Sequence, residues 1–222
     1  MKTKLSIFFL FLFLTATIAQ QQKDSLSKNT GGFYFGVGLI SKQNLNINQK
    51  LASSNFATIP ETMPEIIVGI NFIGKKYSGD FEFATAAIEK TNMGNKRQYV
   101  TASIRGNFSY NLVNKEKIAF TTGVNVVLAR SELDLFQENA VVDLNNINTV
   151  GSMGRITLNN GMLYAGPSAS LYLFKNTNWQ VRARAAYEFG LSSGEWRSDF
   201  AAVNNTVGRH GNNRFLFSIL FF

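Results

Sequence analysis

The 222-residue chain has no cysteine, one histidine and three prolines, and only 16% of its residues are charged. An average soluble domain carries about 25% charged residues. Without cysteine there is no disulfide framework, no thiolate metal site and no cysteine nucleophile. A single histidine, His210, leaves no room for a multi-histidine metal centre. No metal and no cofactor is expected. Aromatic residues reach 13%, 20 of them phenylalanine, which excludes a disordered chain. Phosphate-cradling loops of the GxxxxGK kind are absent. There is no basic helix of the kind that reads a groove, so no nucleic-acid partner is expected.

Long apolar runs are scarce too; the one present is at the N-terminus. Lys2 and Lys4 precede an apolar stretch over 5–14, followed by Thr15-Ala16-Thr17-Ile18-Ala19. A charged start, an apolar centre and small residues at Thr17 and Ala19 are the parts of a secretory signal peptide, cleaved before Gln20. The apolar stretch is short of the ~20 residues a spanning helix needs, although an uncleaved anchor is the other reading. No cysteine follows it, so a lipoprotein anchor is excluded. With the leader gone, 20 basic and 14 acidic side chains leave a net charge of +6. The expected division is a leader at 1–19, a periplasmic tail at 20–32 and one domain at 33–222.

What fills that domain is alternation of apolar with small or polar residues. Eight segments show it: 33–40, 65–73, 77–88, 98–112, 117–128, 162–174, 179–190 and 213–222. In the fourth, Val100, Ala102, Ile104, Phe108 and Tyr110 share one face, and Thr101, Ser103, Arg105, Asn107 and Ser109 the other. A sandwich strand also alternates; the connections decide. Those at 74–76, 113–116 and 175–178 are tight, whereas those at 41–64, 89–97, 129–161 and 191–212 are long. Segments of about ten alternating residues, joined alternately by long and short connections, predict an all-β, transmembrane, up-and-down antiparallel barrel of eight strands. Asn160-Gly161 is a hairpin signal, so an extra strand at 155–158 and a count of ten remain open. Pro167, inside the sixth segment, predicts a local break in the hydrogen-bond ladder.

The chain closes with Phe215-Leu216-Phe217-Ser218-Ile219-Leu220-Phe221-Phe222. A final apolar strand ending in phenylalanine resembles the signal read by the outer-membrane barrel assembly machinery. Leu216, Ser218, Leu220 and Phe222 are its expected positions. With the leader and the loop rhythm, the whole of 30–222 resembles the small OmpA/OmpX-like outer-membrane β-barrels of Gram-negative bacteria. The Asn- and Lys-rich loops resemble those of Bacteroidota members. The resemblance implies fold, an outer-membrane location, and contact with lipid, lipopolysaccharide and the assembly machinery. It implies no activity.

An eight-stranded lumen is only wide enough for side chains to fill. The inward faces carry Asp80, Glu82, Arg105, Arg182, Arg184 and Glu188, three acids and three bases. Each needs a partner in a low-dielectric interior. An ion-pair network plugging the barrel is expected, with a gated polar path as the alternative. Phe72, Tyr110, Trp179 and Phe222 are the expected aromatic girdle at the periplasmic interface. Lys75, Lys76, Lys115, Lys117 and Lys175 mark the tight turns and suit topology or anionic head groups. In the long connections, Glu132, Asp134, Glu138 and Asp143 read as a solvated face, without calcium-loop spacing. His210 has Ser192, Ser193, Ser198, Glu195 and Asp199 nearby in sequence, the residue types of an acyl-transfer site.

Three function classes follow: a stand-alone structural or surface-interaction barrel; an accessory subunit of a larger outer-membrane complex for secretion, uptake or barrel assembly; and a lipid A-modifying acyl enzyme using His210. Small outward residues Ala165, Ala169, Ala183 and Ala185 suit the second, because they let another protein approach closely.

Overall fold

In the computed structural model the alternating segments are strands of one closed sheet. The structure describes residues 30–43, 45–137, 155–177, 179–192, 194–199, 201–204 and 213–222. The leader, most of the tail and His210 lie outside them. The strands are β1 (Thr30–Lys42), β2 (Thr62–Ile73), β3 (Tyr77–Asn92), β4 (Asn95–Asn114), β5 (Ile118–Gln137), β6 (Arg155–Leu173), β7 (Val181–Gly190), the two-residue β8 (Trp196–Arg197) and β9 (Asn213–Phe221). One helix, α1 (Ile47–Ser53), lies between β1 and β2.

Every sequential pair from β1 to β7 is antiparallel, β9 joins β7 to β1, and the β5–β6 pairing completes the ring. The barrel therefore has eight strands, and β8 adds only a short rung against Asn159 and Asn160 of β6. There is no extra hairpin at 155–158. Asn160 and Gly161 pair with Ser131 and Arg130 inside an unbroken β6, and the expected turn is absent. Among the described residues no helix is long and apolar enough to cross a membrane.

Period two turns each strand into two unlike faces. In β9, Arg214, Leu216, Ser218 and Leu220 are buried inside, while Phe215, Phe217, Ile219 and Phe221 are exposed outside. Around the ring Phe33, Ile66, Ile70, Phe108, Val124 and Leu128 stand outward, each more than half exposed. A soluble monomer leaves only a few hundred Å² of contiguous apolar patch to water. A closed barrel with an apolar outside and a polar inside is built to sit in lipid, where it leaves no backbone group unpaired.

The strands are unequal. β7 and β9 have 10 and 9 residues, near the 9–11 that cross a bilayer, whereas β4 and β5 have 20 each. At 3.3 Å per residue and a tilt of about 40°, a 20-residue strand rises roughly 50 Å, about twice the apolar band. The expected loop at 89–97 is thus mostly strand. β3 and β4 stay paired up to Asn92 and Asn95, leaving a turn of two residues. Over 89–98 the residues on both faces of this hairpin are polar apart from the turn, so the apolar alternation stops while the backbone ladder continues. Met93 and Gly94 both have positive φ, 48° and 76°, as a type I′ hairpin demands. Methionine suits that region poorly and Met93 is 83% exposed. Met93→Asn is expected to stabilise the barrel by about 0.5–1 kcal/mol, read as a higher unfolding midpoint.

Candidate functional site

The inward faces meet in a side-chain network that crosses the lumen. β7 supplies Arg182 and Arg184 two residues apart, both pointing inward. Arg182 donates to Asp80 on β3 at 2.7 Å and to Ser170 at 3.1 Å. Arg184 reaches Asp80 at 3.4 Å and Glu82 at 2.6 Å. Glu82 also accepts from Arg105 of β4 at 3.0 Å and from the Tyr34 hydroxyl at 2.8 Å. Arg105 grips Glu65 of β2 with two nitrogens, at 2.7 and 2.5 Å. The result is one alternating chain, Arg182–Asp80–Arg184–Glu82–Arg105–Glu65. All six side chains are 2% exposed or less.

Glu188 stands outside this chain: it is paired with Arg214 of β9 and accepts from Asn125 at 3.1 Å. The Arg214 guanidinium also lies 4.1 Å from the centre of the Tyr164 ring. Sequence reading left out Glu65 and Arg214, although strand parity reaches both. Glu65 lies two positions before the inward Ile67, and Arg214 two before the inward Leu216. The full set is four carboxylates and four guanidiniums, equal in charge. Two glycines make room for it. A Cβ at Gly38 would lie 2.9 Å from the Glu65 carboxylate, and one at Gly69 would lie 2.6 Å from the Tyr34 ring.

Below the chain, at the tight-turn end, Phe222 closes the lumen. Its ring lies 5.3 Å from that of Tyr34 and 6.2 Å from that of Tyr172. This corrects its expected place in the lipid girdle: the residue after β9 turns inward onto two buried tyrosines. Phe72, Tyr110 and Trp179 do stand outward at this end. Of the basic turn residues, Lys75, Lys76, Lys115 and Lys117 are exposed. Lys175 is buried, donates to Asn114, and has its pKa lowered by that burial, so it is no head-group contact.

Above the chain, the first long connection folds back over the mouth. Ile47 and Leu51 of α1, with Leu45 and Ile59, pack on Ile40, Met63, Tyr99, Leu133 and Trp196. Asn48 clasps this segment by exchanging two 2.8 Å hydrogen bonds with the backbone of Ile59. The mouth is therefore covered by an apolar cap, whose amphipathic segment the strand pattern alone did not reveal.

The described residues give the other candidates no shared site. Asp134 pairs on the outside with Arg155 at 2.9 Å and with Thr157 at 2.5 Å. Glu138 and Asp143 lie outside the described residues, and no metal-holding cluster occurs among those described. Ser192 accepts from the Leu163 amide at 2.9 Å, Glu195 faces Arg197 at 3.7 Å, and Asp199 accepts from Asn159 at 3.3 Å. Ser193, like His210, is outside the described residues. In the small-residue stripe, Ala169 pairs with Ala185, whereas Ala165 faces Phe189 and Ala183 faces Leu171.

Known proteins of similar architecture are outer-membrane barrels. Ail, the attachment invasion locus protein of Yersinia pestis, is 6% identical with a TM-score of 0.47, covering 88% of this chain and 96% of its own. Neisserial surface protein A is 10% identical with a TM-score of 0.49, over 86% and 98%. The outer membrane protease OmpT of Escherichia coli is 10% identical with a TM-score of 0.36, over 89% and 97%. No family model matches the chain, and no curated protein does. Likeness at this level carries neither an activity nor a partner to this chain. The barrel rests on its own strand pairing.

Proposed function

We propose that this chain is an exported outer-membrane protein that works at its outer surface rather than through its lumen. The observation that carries this reading is the double closure of the barrel. An alternating chain of six charged groups crosses the lumen, and the α1 cap covers the mouth above it. The leader, the lipid-facing belt and the terminal strand support the location. Lipid and lipopolysaccharide then surround the belt. The assembly machinery engages the last strand, including Leu216, Ser218, Leu220 and Phe222. What remains for function is the cap and the tall β3–β6 wall, a structural or surface-interaction role.

Reconstituted in planar bilayers, the full chain is expected to give no unitary conductance steps at about 100 mV, while fractionating with outer membranes in cells. Regular steps in wild type would overturn the closed-lumen reading. Co-purification in mild detergent separates a lone barrel from an accessory subunit, because a stoichiometric partner would move the function to the complex.

A further inference from the structure

The charge balance of the lumen ends just beneath the cap. Glu65, Asp80, Glu82 and Glu188 neutralise Arg105, Arg182, Arg184 and Arg214. Two more cations face inward at the mouth, Lys42 of β1 and Arg97 of β4, at 4% and 0% exposure. The partners of Lys42 are neutral: Tyr99 Oη at 2.8 Å, with Thr101 Oγ1 and Ser131 Oγ at 3.4 Å. Arg97 has none, for Nε, Nη1 and Nη2 are all buried and without a hydrogen bond. It is the only arginine among the described residues with all three nitrogens in that state. Arg97 and Tyr99 are two residues apart on one face of β4, about 7 Å along the strand, and Lys42 sits on Tyr99. Asn160, paired with Ser131 on the neighbouring strand, adds a buried Nδ2 without a partner.

Among the described residues no carboxylate forms an ion pair with Lys42 or Arg97. Glu89 pairs with Lys96, and Asp134 with Arg155. Among the described residues the mouth thus gathers donors and positive charge under an apolar roof, with no carboxylate paired to them. A guanidinium stays protonated at any physiological pH, and an uncompensated buried charge costs several kcal/mol. We propose that one small inorganic anion is taken up beneath the cap between Arg97 and Lys42, where it serves as their counter-charge and ties α1 to the barrel.

The test uses the full chain in detergent micelles. Thermal unfolding is followed while sodium gluconate, whose anion is bulky, is replaced by sodium chloride or sodium sulfate at constant ionic strength. Ligand that binds only the folded state raises the midpoint with its concentration. Wild type is expected to gain several degrees. Arg97→Met is expected to be insensitive to the exchange, and Lys96→Met, a half-buried neighbour on the opposite face that pairs with Glu89, to respond as wild type does. A wild-type midpoint indifferent to the anion overturns the proposal and makes a carboxylate of the chain itself the counter-charge. An unchanged response in Arg97→Met overturns it as well. Should Arg97→Met fail to fold, crystals of wild type grown in sodium bromide decide the matter. An anomalous peak beside the Arg97 guanidinium is expected, and its absence refutes the site.

Discussion

Replacing Glu82 with leucine is expected to destabilise the barrel by about 3–5 kcal/mol, the usual cost of taking one partner from a buried ion pair. Glu82 sits at the middle of the charge chain and accepts from Arg105, Arg184 and Tyr34. Without it, Arg184 keeps only the 3.4 Å contact to Asp80, while Arg105 keeps its two-nitrogen grip on Glu65. Three guanidiniums would then share two carboxylates in an interior without room to hydrate the excess. The double variant Glu82→Leu/Arg184→Met restores equal numbers and is expected to recover most of the loss, because apolar replacement of a whole buried pair is often neutral. Urea unfolding in lipid vesicles measures both. A single-variant loss below about 1 kcal/mol would mean that water already solvates these charges, and with it the closed-lumen reading fails. The cycle thus tests the energetic basis of the closure as well as the stability of one pair.

The same chain shows why some of the molecule was legible in the sequence and some was not. Barrel parity is a local property: wherever one face meets lipid and the other meets the lumen, the residues must alternate. That is why the inward placement of Asp80, Glu82, Arg105, Arg182 and Arg184 could be read from short segments. Parity does not stop where the apolar residues stop. Lys42, Glu65, Arg97 and Arg214 are inward by the same count of two, but Lys42 and Arg97 lie outside the alternating segments, and Glu65 and Arg214 stand at the polar starts of theirs, before the apolar residues begin. The upper β3–β4 ladder was invisible for a related reason. From Glu89 to Asn92 nothing is buried, and backbone pairing to β4 with exposed polar contacts such as Glu89–Lys96 holds the strand. The cap is a different case. α1 has seven residues and buries only Ile47 and Leu51, too short a pattern to register as a helix, and its burial depends on a barrel mouth assembled from distant strands. Phe222 was misplaced by setting parity aside: it follows Leu216, Ser218 and Leu220 on the inward count of two, and its N–H still bonds the Gln180 carbonyl at 3.2 Å. Inside, its ring meets Tyr34 and Tyr172.

Gly166→Ala is expected to cost about 3 kcal/mol, at the upper end of what overpacking usually does, although it adds one methyl group. No positive φ requires glycine at this position, since Gly94 is the only described glycine with one. The constraint is space. A Cβ on Gly166 would overlap the carbonyl oxygen of Tyr187 and come within 2.9 Å of the Glu188 Cα, and backbone atoms cannot rotate away as a side chain would. Pro167 follows and has no N–H to give to the ladder. Between Ala165↔Phe189 and Ser168↔Ala186, β6 and β7 form no rung. The seam is held close there without hydrogen bonds of its own. Pushing it open displaces Glu188, the residue that pairs with Arg214 and accepts from Asn125, so the damage spreads from packing into the charge network. Gly161, five residues earlier on the same strand, is the control: a Cβ there meets nothing within 4 Å. Gly161→Ala is expected to stabilise by about 0.4–1 kcal/mol, through the entropy of the unfolded chain alone. Opposite signs for two glycine-to-alanine changes on one strand would show that the β6–β7 seam is a close backbone contact. Equal effects, within about 0.5 kcal/mol, would show that the seam is open and that Pro167 alone interrupts the ladder.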